Sequence, residues 1–511
     1  MIKIYGDENS FGDKSFNSLE IITTSNRPKR ALTSRFLISL LNYCRVPTEY
    51  FVELLRKALE DVNKARHKPR DSLEVAFNHA DLDDSMSARM ILSGIQSEDE
   101  AHLQYQLALM TKEERKGLKQ GRIPIDECYY LMGTTDPTGT LKRDQVCVIL
   151  DNGQLSGNVL VYKHPGLLFG DIHELTATYI DGLENIVGNS KYAIFFPTCG
   201  PRSLADEMAN SDFDGDMYWV SRNPLLLECF KPRKPWVRRI SPRKTDQKKP
   251  QDYLGSKLEC MLFREYLRAR FTPSYVLGAA ANCWLAYMDR LLTGGIPKSE
   301  RKEIKKMLDL VDIYYLALDA AKSGNKITVP EELMVKQYPH FMERYPDYHS
   351  ASVLGKIYEV KSQESEADPS IKIVPLQCFT EVAVSEDYKR RWTSLYQEYL
   401  RESSKLCKLE DKAERNINFH ELYQEYKWML YKAEEFEYSP RERFDLFNEA
   451  CAVYQVVYEH ATSCNQVSKC GFAWKVAGRA LCQLYTLKHS GDTVLCSFSV
   501  LEGAFKKNLR T

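Results

Sequence analysis

The run Asn210-Ser211-Asp212-Phe213-Asp214-Gly215-Asp216-Met217-Tyr218-Trp219-Val220 puts three carboxylates within five residues. Charges held this close repel strongly, because Coulomb energy scales inversely with distance. A solvated acidic turn tolerates that repulsion, whereas a loop made rigid by adjoining strands needs a cation. Carboxylate oxygens suit Mg²⁺ or Mn²⁺. Gly215 lets the backbone turn tightly, with positive φ if required, so that the flanking acids converge. Such a set can clamp two ions about 3.5–4 Å apart and stabilise in-line phosphoryl transfer. A calcium-binding helix–loop–helix starting at Asp212 would need Gly at its sixth position and Glu at its twelfth. Met217 and Asn223 stand there instead, which excludes it. The solvated acidic turn stays open as the alternative, and is the reading given to Asp81, Asp83 and Asp84.

The elements that must hold these acids change texture along the chain. Residues up to about 118 read as helices: Phe51, Leu54, Leu55, Ala58, Leu59 and Val62 fall on one helical face, with Pro47 just ahead. A second helix is expected from Ala101 to Leu118, ending at Gly121. Short β-branched runs follow at Gln145–Leu150, Asn158–Tyr162, Tyr192–Phe196 and Met217–Val220. Turn signals separate them, among them Asp136-Pro137-Thr138-Gly139 and Asp151-Asn152-Gly153. These predict a compact β-rich domain, a barrel among the architectures that fit, with the acids leading into its last strand. Helices are expected over 253–350, broken at Gly294-Gly295-Ile296-Pro297. The C-terminal third reads as strongly helical after a low-order stretch at 361–370. There Trp392, Leu395, Tyr396 and Tyr399 form one face, and Phe419, Leu422, Tyr423, Tyr426 and Leu430 another; aromatic stripes of this spacing are core.

Residues 231–250 carry nine Lys or Arg against one acid, Asp246, and are rich in proline. Two readings stand for this exposed basic loop. It is either a solvated linker or a contact for a phosphate backbone beside the acids, through Arg233, Lys234, Arg238 and Arg239. Trp236 either stacks on a base or pins the loop.

The whole chain sets outer limits. Its 511 residues suffice for about three or four domains, and 43 % hydrophobic with 27 % charged residues is ordinary globular composition. Formal net charge is zero, so nucleic-acid affinity has to come from local patches. Fourteen irregularly spaced cysteines without a CxxC pair fit neither a disulfide framework nor a zinc site. Buried reduced thiols, no signal core and no run of ~18 apolar residues predict an intracellular protein of nucleus or cytoplasm, with no membrane partner.

Asp212-Phe213-Asp214-Gly215-Asp216 resembles the D-x-D-G-D signature of the eukaryotic cellular RNA-dependent RNA polymerases of RNA silencing. The supporting motifs are Gly121-Arg122-Ile123-Pro124, Leu131-Met132-Gly133-Thr134, Asp136-Pro137-Thr138-Gly139, Lys163-His164-Pro165-Gly166, Gly170-Asp171 and Gly200-Pro201-Arg202. Further on, Asp319-Ala320-Ala321-Lys322-Ser323-Gly324 and Phe472-Ala473-Trp474 continue the likeness. The Phe213 form is similar to the plant subgroup carrying D-F-D-G-D. The resemblance implies an α+β chain in which a double-psi β-barrel carries the acidic loop, flanked by a helical neck and head. Its boundaries would be a helical region at 1–118, the barrel at 119–225, basic loop and neck at 226–365, and head at 366–511. Asp212, Asp214 and Asp216 would be catalytic and hold Mg²⁺ or Mn²⁺. Single-stranded RNA would be the template and nucleoside triphosphates the substrates, with double-stranded RNA produced for small-RNA silencing alongside other silencing proteins. Lys163 and Arg202 match charged positions of the pattern; each is a phosphate contact or an ion pair within the domain.

The chain also departs from the pattern. Gly166-Leu167-Leu168-Phe169-Gly170-Asp171 lacks a histidine that the family usually carries before Gly-Asp. Met1 aligns just after the family's first barrel, whose basic residues face the aspartates. The expectation is a metal-binding half that needs its partner wall, with a non-catalytic RNA-binding or interaction protein as the alternative. A fragment of a DNA-dependent RNA polymerase, whose related motif has alanine where Ser211 stands, is the third reading.

Overall fold

The computed structural model describes residues 2–5, 18–21, 24–28, 30–64, 69–79, 85–235, 237, 250–253, 255–271, 275–294, 300–320, 327–360 and 371–489. Two compact units emerge, one from residues 1–56 and 117–361, the other from 57–116 and 362–511.

In the first unit, β1 (Ile2–Tyr5) and β2 (Ser18–Ile21) form a small antiparallel pair. The main sheet runs β5-β4-β7-β6-β9-β3-β8, and a further pairing of β4 with β8 closes six of these strands into a barrel. They are β3 (Cys128–Thr135), β4 (Gln145–Leu150), β6 (Gly157–Lys163), β7 (Ile172–Ala177), β8 (Ala193–Phe196) and β9 (Met217–Ser221), while β5 (Gly153–Gln154) only extends β4. Parallel pairs β3–β8 and β4–β7 interlock with antiparallel neighbours, the arrangement expected of a double-psi barrel. With helices around it, the chain is α+β as expected.

Alternation builds the barrel core, since successive strand side chains face opposite ways. Val146, Val148 and Leu150 of β4 point inward with Val159, Val161, Leu175, Ile194, Phe196, Tyr218 and Val220. Cys147 and Ile149 point outward against Leu141, Ile180 and Leu183. Strands β3 and β7 lie outside the expected set. Gly133 interrupts β3, and His173 and Glu174 dilute β7, so neither reads as an apolar run.

Around the barrel, Val276–Leu292 buries Trp284, Tyr287 and Met288, and Glu300–Leu318 buries Leu310, Val311 and Tyr315. Residues 327–352 are not helical as expected. They carry short 3-10 turns and the two-residue strands Tyr338–Pro339 and Asp347–Tyr348, because Pro330, Pro339 and Pro346 break any helix. The stretch 361–370 lies outside the described residues, as do Asp81, Asp83 and Asp84.

The second unit is helical and packs the expected aromatic stripes. Trp392 and Tyr396 of Glu386–Leu406 join Leu422, Tyr426 and Leu430 of Lys412–Tyr431 in one core with Trp474. Inside it Glu449, wholly buried, takes Arg391 at 3.0 Å, Arg441 at 2.6 Å and the Trp392 indole N–H at 2.8 Å. A buried charge persists when paired and hydrogen-bonded on this scale. Every described cysteine is a free thiol. No helix among the described residues is long and apolar enough to cross a membrane.

Candidate functional site

The acids occupy a loop between the short helix Leu204–Glu207 and β9. Ser203 caps that helix, its Oγ accepting the Ala205 N–H. The chain then leaves through two consecutive left-handed residues, Ala209 at φ 55° and Asn210 at φ 53°. Phe213 (φ 62°) and Gly215 (φ 121°) add two more positive turns, so the glycine meets the backbone need expected of it. For residues with a Cβ this region costs roughly 1–2 kcal/mol each, which contacts around the loop must offset. Phe213 contributes one of them, its ring lying 5.3 Å from Phe196 and 6.1 Å from Tyr218 at the end of the barrel core.

The turns bring oxygens of Asp212, Asp214 and Asp216 all within 4.8 Å of one another. Asp212 and Asp214 are exposed and Asp216 is half-buried. Within the loop the Asp214 N–H donates to Asp212 at 3.3 Å and the Asp212 N–H to Asp216 at 3.3 Å. Lys163, at the end of β6, supplies one cation: its Nζ lies 3.4 Å from Asp216 Oδ1 in a nearly buried pair. An all-oxygen donor set facing solvent fits a hard divalent cation.

Behind the acids stands a support absent from the sequence reading. Ser211 Oγ donates to Asp216 and also meets the Tyr218 hydroxyl. Burial raises the Tyr218 phenol above its ordinary range; the Ser211 contact opposes this, and Asp216 adds to it. Tyr218 reaches that point because Gly133 on the paired strand has no side chain: a Cβ there would lie 2.2 Å from the Tyr218 ring. A glycine inside a strand was the available signal, since it marks a close approach.

The remaining candidates are placed elsewhere. Arg202 folds onto the short helix that follows it, pairing with the Asp206 carboxylate and donating to the Asp206 carbonyl at 2.8 Å. Arg233 lies over the Tyr43 ring, 5.2 Å from its centroid, and Tyr43 stacks on Phe169 at 4.0 Å. Lys234 belongs to a backbone segment pressed on Gly170, where a Cβ would meet the Lys234 carbonyl at 1.8 Å. Before that, the Lys231 N–H donates to the Cys44 carbonyl at 2.9 Å. The first part of the basic loop is thus strapped to helix Arg35–Tyr43 and to the β6–β7 connection at Gly170. Arg238, Arg239 and Trp236 lie outside the described residues. The apolar Leu167-Leu168-Phe169 that replaces the expected histidine is packed, with Leu167 and Leu168 buried.

His340, His349 and Glu359 form a second cluster of potential ligands. His340 Nδ1, however, accepts the Ser350 N–H at 3.0 Å, which leaves the proton on Nε2, facing Glu359 at 3.4 Å. A ring nitrogen carrying a proton cannot ligate a metal, so His340 offers no ligand there, and the Glu359 hydrogen bond goes to His349.

The geometry is a closed barrel whose last strand receives a loop of converging carboxylates, an oxygen-rich spot suited to a divalent cation. The family model "RNA dependent RNA polymerase" matches residues 1–360, and the model of the head domain of these polymerases matches residues 384–501. The chain belongs to the RNA-dependent RNA polymerase family. It is 60 % identical over 530 residues to the "Probable RNA-dependent RNA polymerase 3" of Oryza sativa subsp. japonica, covering 98 % of this chain and 46 % of that protein. It is 46 % identical over 508 residues to the "Probable RNA-dependent RNA polymerase 3" of Arabidopsis thaliana, covering 98 % and 51 % respectively. The chain therefore spans about half the length of the curated relatives it matches. Among solved structures, the RNA dependent RNA polymerase QDE-1 from Thielavia terrestris shares the fold, with TM-score 0.57 and 16 % identity over 98 % of this chain and 62 % of that one.

Proposed function

We propose that this chain is the metal-binding half of an RNA-directed RNA polymerase core, copying single-stranded RNA into double-stranded RNA for small-RNA silencing. The observation that carries the reading is the convergence of Asp212, Asp214 and Asp216 on one oxygen-lined spot beside Lys163. When bound there, Mg²⁺ or Mn²⁺ would neutralise triphosphate charge and activate the attacking 3′-hydroxyl. Asp212 and Asp214 are exposed, while Asp216 is held from behind by Ser211, which itself meets Tyr218. Lys163 is positioned to exchange its carboxylate partner for a phosphate oxygen once a cation takes the acids. Arg202 and Arg233 are engaged by Asp206 and Tyr43, so their phosphate role requires release from those partners. The barrel at 119–225, the neck at 226–365 and the head at 366–511 are the proposed functional divisions.

The test is product class. The chain, alone and joined to the N-terminal half of the rice relative, is given single-stranded RNA or DNA templates, four ribonucleotides and Mn²⁺. RNA-templated product resistant to single-strand nuclease supports the reading. RNA retention with no product from the joined protein would favour a non-catalytic binding protein.

A further inference from the structure

The loop's two left-handed residues sit where a neighbouring helix reaches it. Asp171, in the β6–β7 connection, is fully buried, and its Oδ1 accepts the Ala209 N–H at 3.3 Å. Its Oδ2 accepts the Leu168 N–H at 2.7 Å and the hydroxyl of Tyr315, a fully buried residue of helix Glu300–Leu318. The Tyr315 hydroxyl in turn accepts the Leu167 N–H at 2.9 Å. One residue further along the loop, the Asn210 amide donates to Asp319 Oδ2 at 2.8 Å, and Asp319 directly follows the same helix. The helix thus reaches two adjacent residues, Ala209 through Asp171 and Asn210 through Asp319 just past its end, both in a backbone region that side chains disfavour. Alanine at 209 has no side-chain hydrogen bond to hold that conformation, so backbone contacts hold it: its own N–H on Asp171 and the Ser211 N–H on the Ala205 carbonyl at 3.2 Å.

We propose that Tyr315 and Asp319 are positioning residues of the acidic loop: helix Glu300–Leu318 fixes the loop's first turn through Asp171 and Asn210, and so sets where Asp212, Asp214 and Asp216 converge. The inference rests on the reading of those acids as the metal centre. Catalytic groups misplaced by about an ångström lose much of their effect, so a loop released at residues 209 and 210 loses its shared oxygen cluster even though all three acids remain. Neither Tyr315 nor Asp319 needs to touch the ion or the RNA.

Tyr315→Phe, Asp319→Ala and Asp319→Asn are compared with the unaltered chain by hydrogen exchange and by Mn²⁺ titration. Exchange across residues 209–217 is expected to speed up about 10-fold in Tyr315→Phe and Asp319→Ala, with β4 unchanged. Mn²⁺ affinity is expected to fall about 5- to 10-fold in both. Asp319→Asn, which keeps an oxygen acceptor for Asn210, restores both values. Loop exchange unaltered in both variants overturns the proposal, as does acceleration spread evenly over β4 and β6. Should the unaltered chain and Asp214→Ala bind Mn²⁺ alike, the metal reading fails; loop exchange alone then decides the role of the helix.

Discussion

Replacing Lys163 with methionine separates a structural ion pair from a cation site. Lys163 and Asp216 face each other at 3.4 Å with side chains 10 % and 17 % exposed. Unit charges at that separation attract by about 1 kcal/mol at the permittivity of water and about 5 kcal/mol at an effective value of 20. If stability were the only consequence, Lys163→Met would weaken everything the loop does. A divalent ion on Asp216 changes the sign. An ion held about 2.1 Å from an Asp216 oxygen would be about 5 Å from the ammonium and repelled by about 1.7 kcal/mol even at water's permittivity. Removing the ammonium should therefore tighten Mn²⁺ binding roughly 10- to 20-fold. Methionine keeps the apolar stem packed, and Asp216 keeps Ser211 and the Asp212 N–H. The assay is Mn²⁺ titration followed by the magnetic resonance of the free ion, with urea unfolding to verify that the variant is folded. Nucleotide incorporation should fall in the same variant, because its phosphate partner is gone. Unchanged or weaker Mn²⁺ binding by a folded Lys163→Met variant would refute an ion on Asp216.

Three further outcomes are expected. Burial raises the Asp171 carboxyl to about 6, against the opposing hydrogen bonds from Tyr315, Leu168 and Ala209. A raised folded value means the native state binds the proton more tightly, so this contribution is full below about 4 and is lost as pH rises through about 6. The unfolding free energy of wild type minus Asp171→Asn should fall by roughly 2 kcal/mol between those limits; a flat difference would remove Asp171 from the account. Gly133→Ala should cost several kcal/mol in urea unfolding because its Cβ strikes the Tyr218 ring, a loss in the range of overpacked cores or above. Adding Tyr218→Leu should recover part of that loss, and no recovery would place the clash elsewhere. Neutralising Arg233 and Lys234 should lower the salt slope of RNA binding by no more than about 2, one for each phosphate contact removed.

How much was legible depended on the range of the interactions. The acidic loop reads directly from Asp212 to Asp216, because charge repulsion and a glycine turn are local. Strands β4, β6, β8 and β9 read from their β-branched runs. Strand β3 does not, since Gly133 makes sense only once Tyr218 of β9 lies across it. Arg202 and Arg233 look alike in sequence, yet Asp206 claims one and Tyr43, far away along the chain, the other. Tyr315 passes for an ordinary core aromatic until Asp171, 144 positions earlier, is brought to its hydroxyl. The helical expectation over 253–350 fails after residue 327, where Pro330, Pro339 and Pro346 break any helix.

The most direct measurement of the central claim is labelled-nucleotide incorporation on single-stranded RNA with Mn²⁺, by the chain joined to the N-terminal half of its rice relative. Unaltered and Asp214→Ala forms would be run together, with folding checked by urea unfolding. The account predicts template-dependent product from the unaltered form and its loss in Asp214→Ala at near-normal stability. Product persisting at half the normal rate or more in Asp214→Ala would contradict the assignment of the three aspartates.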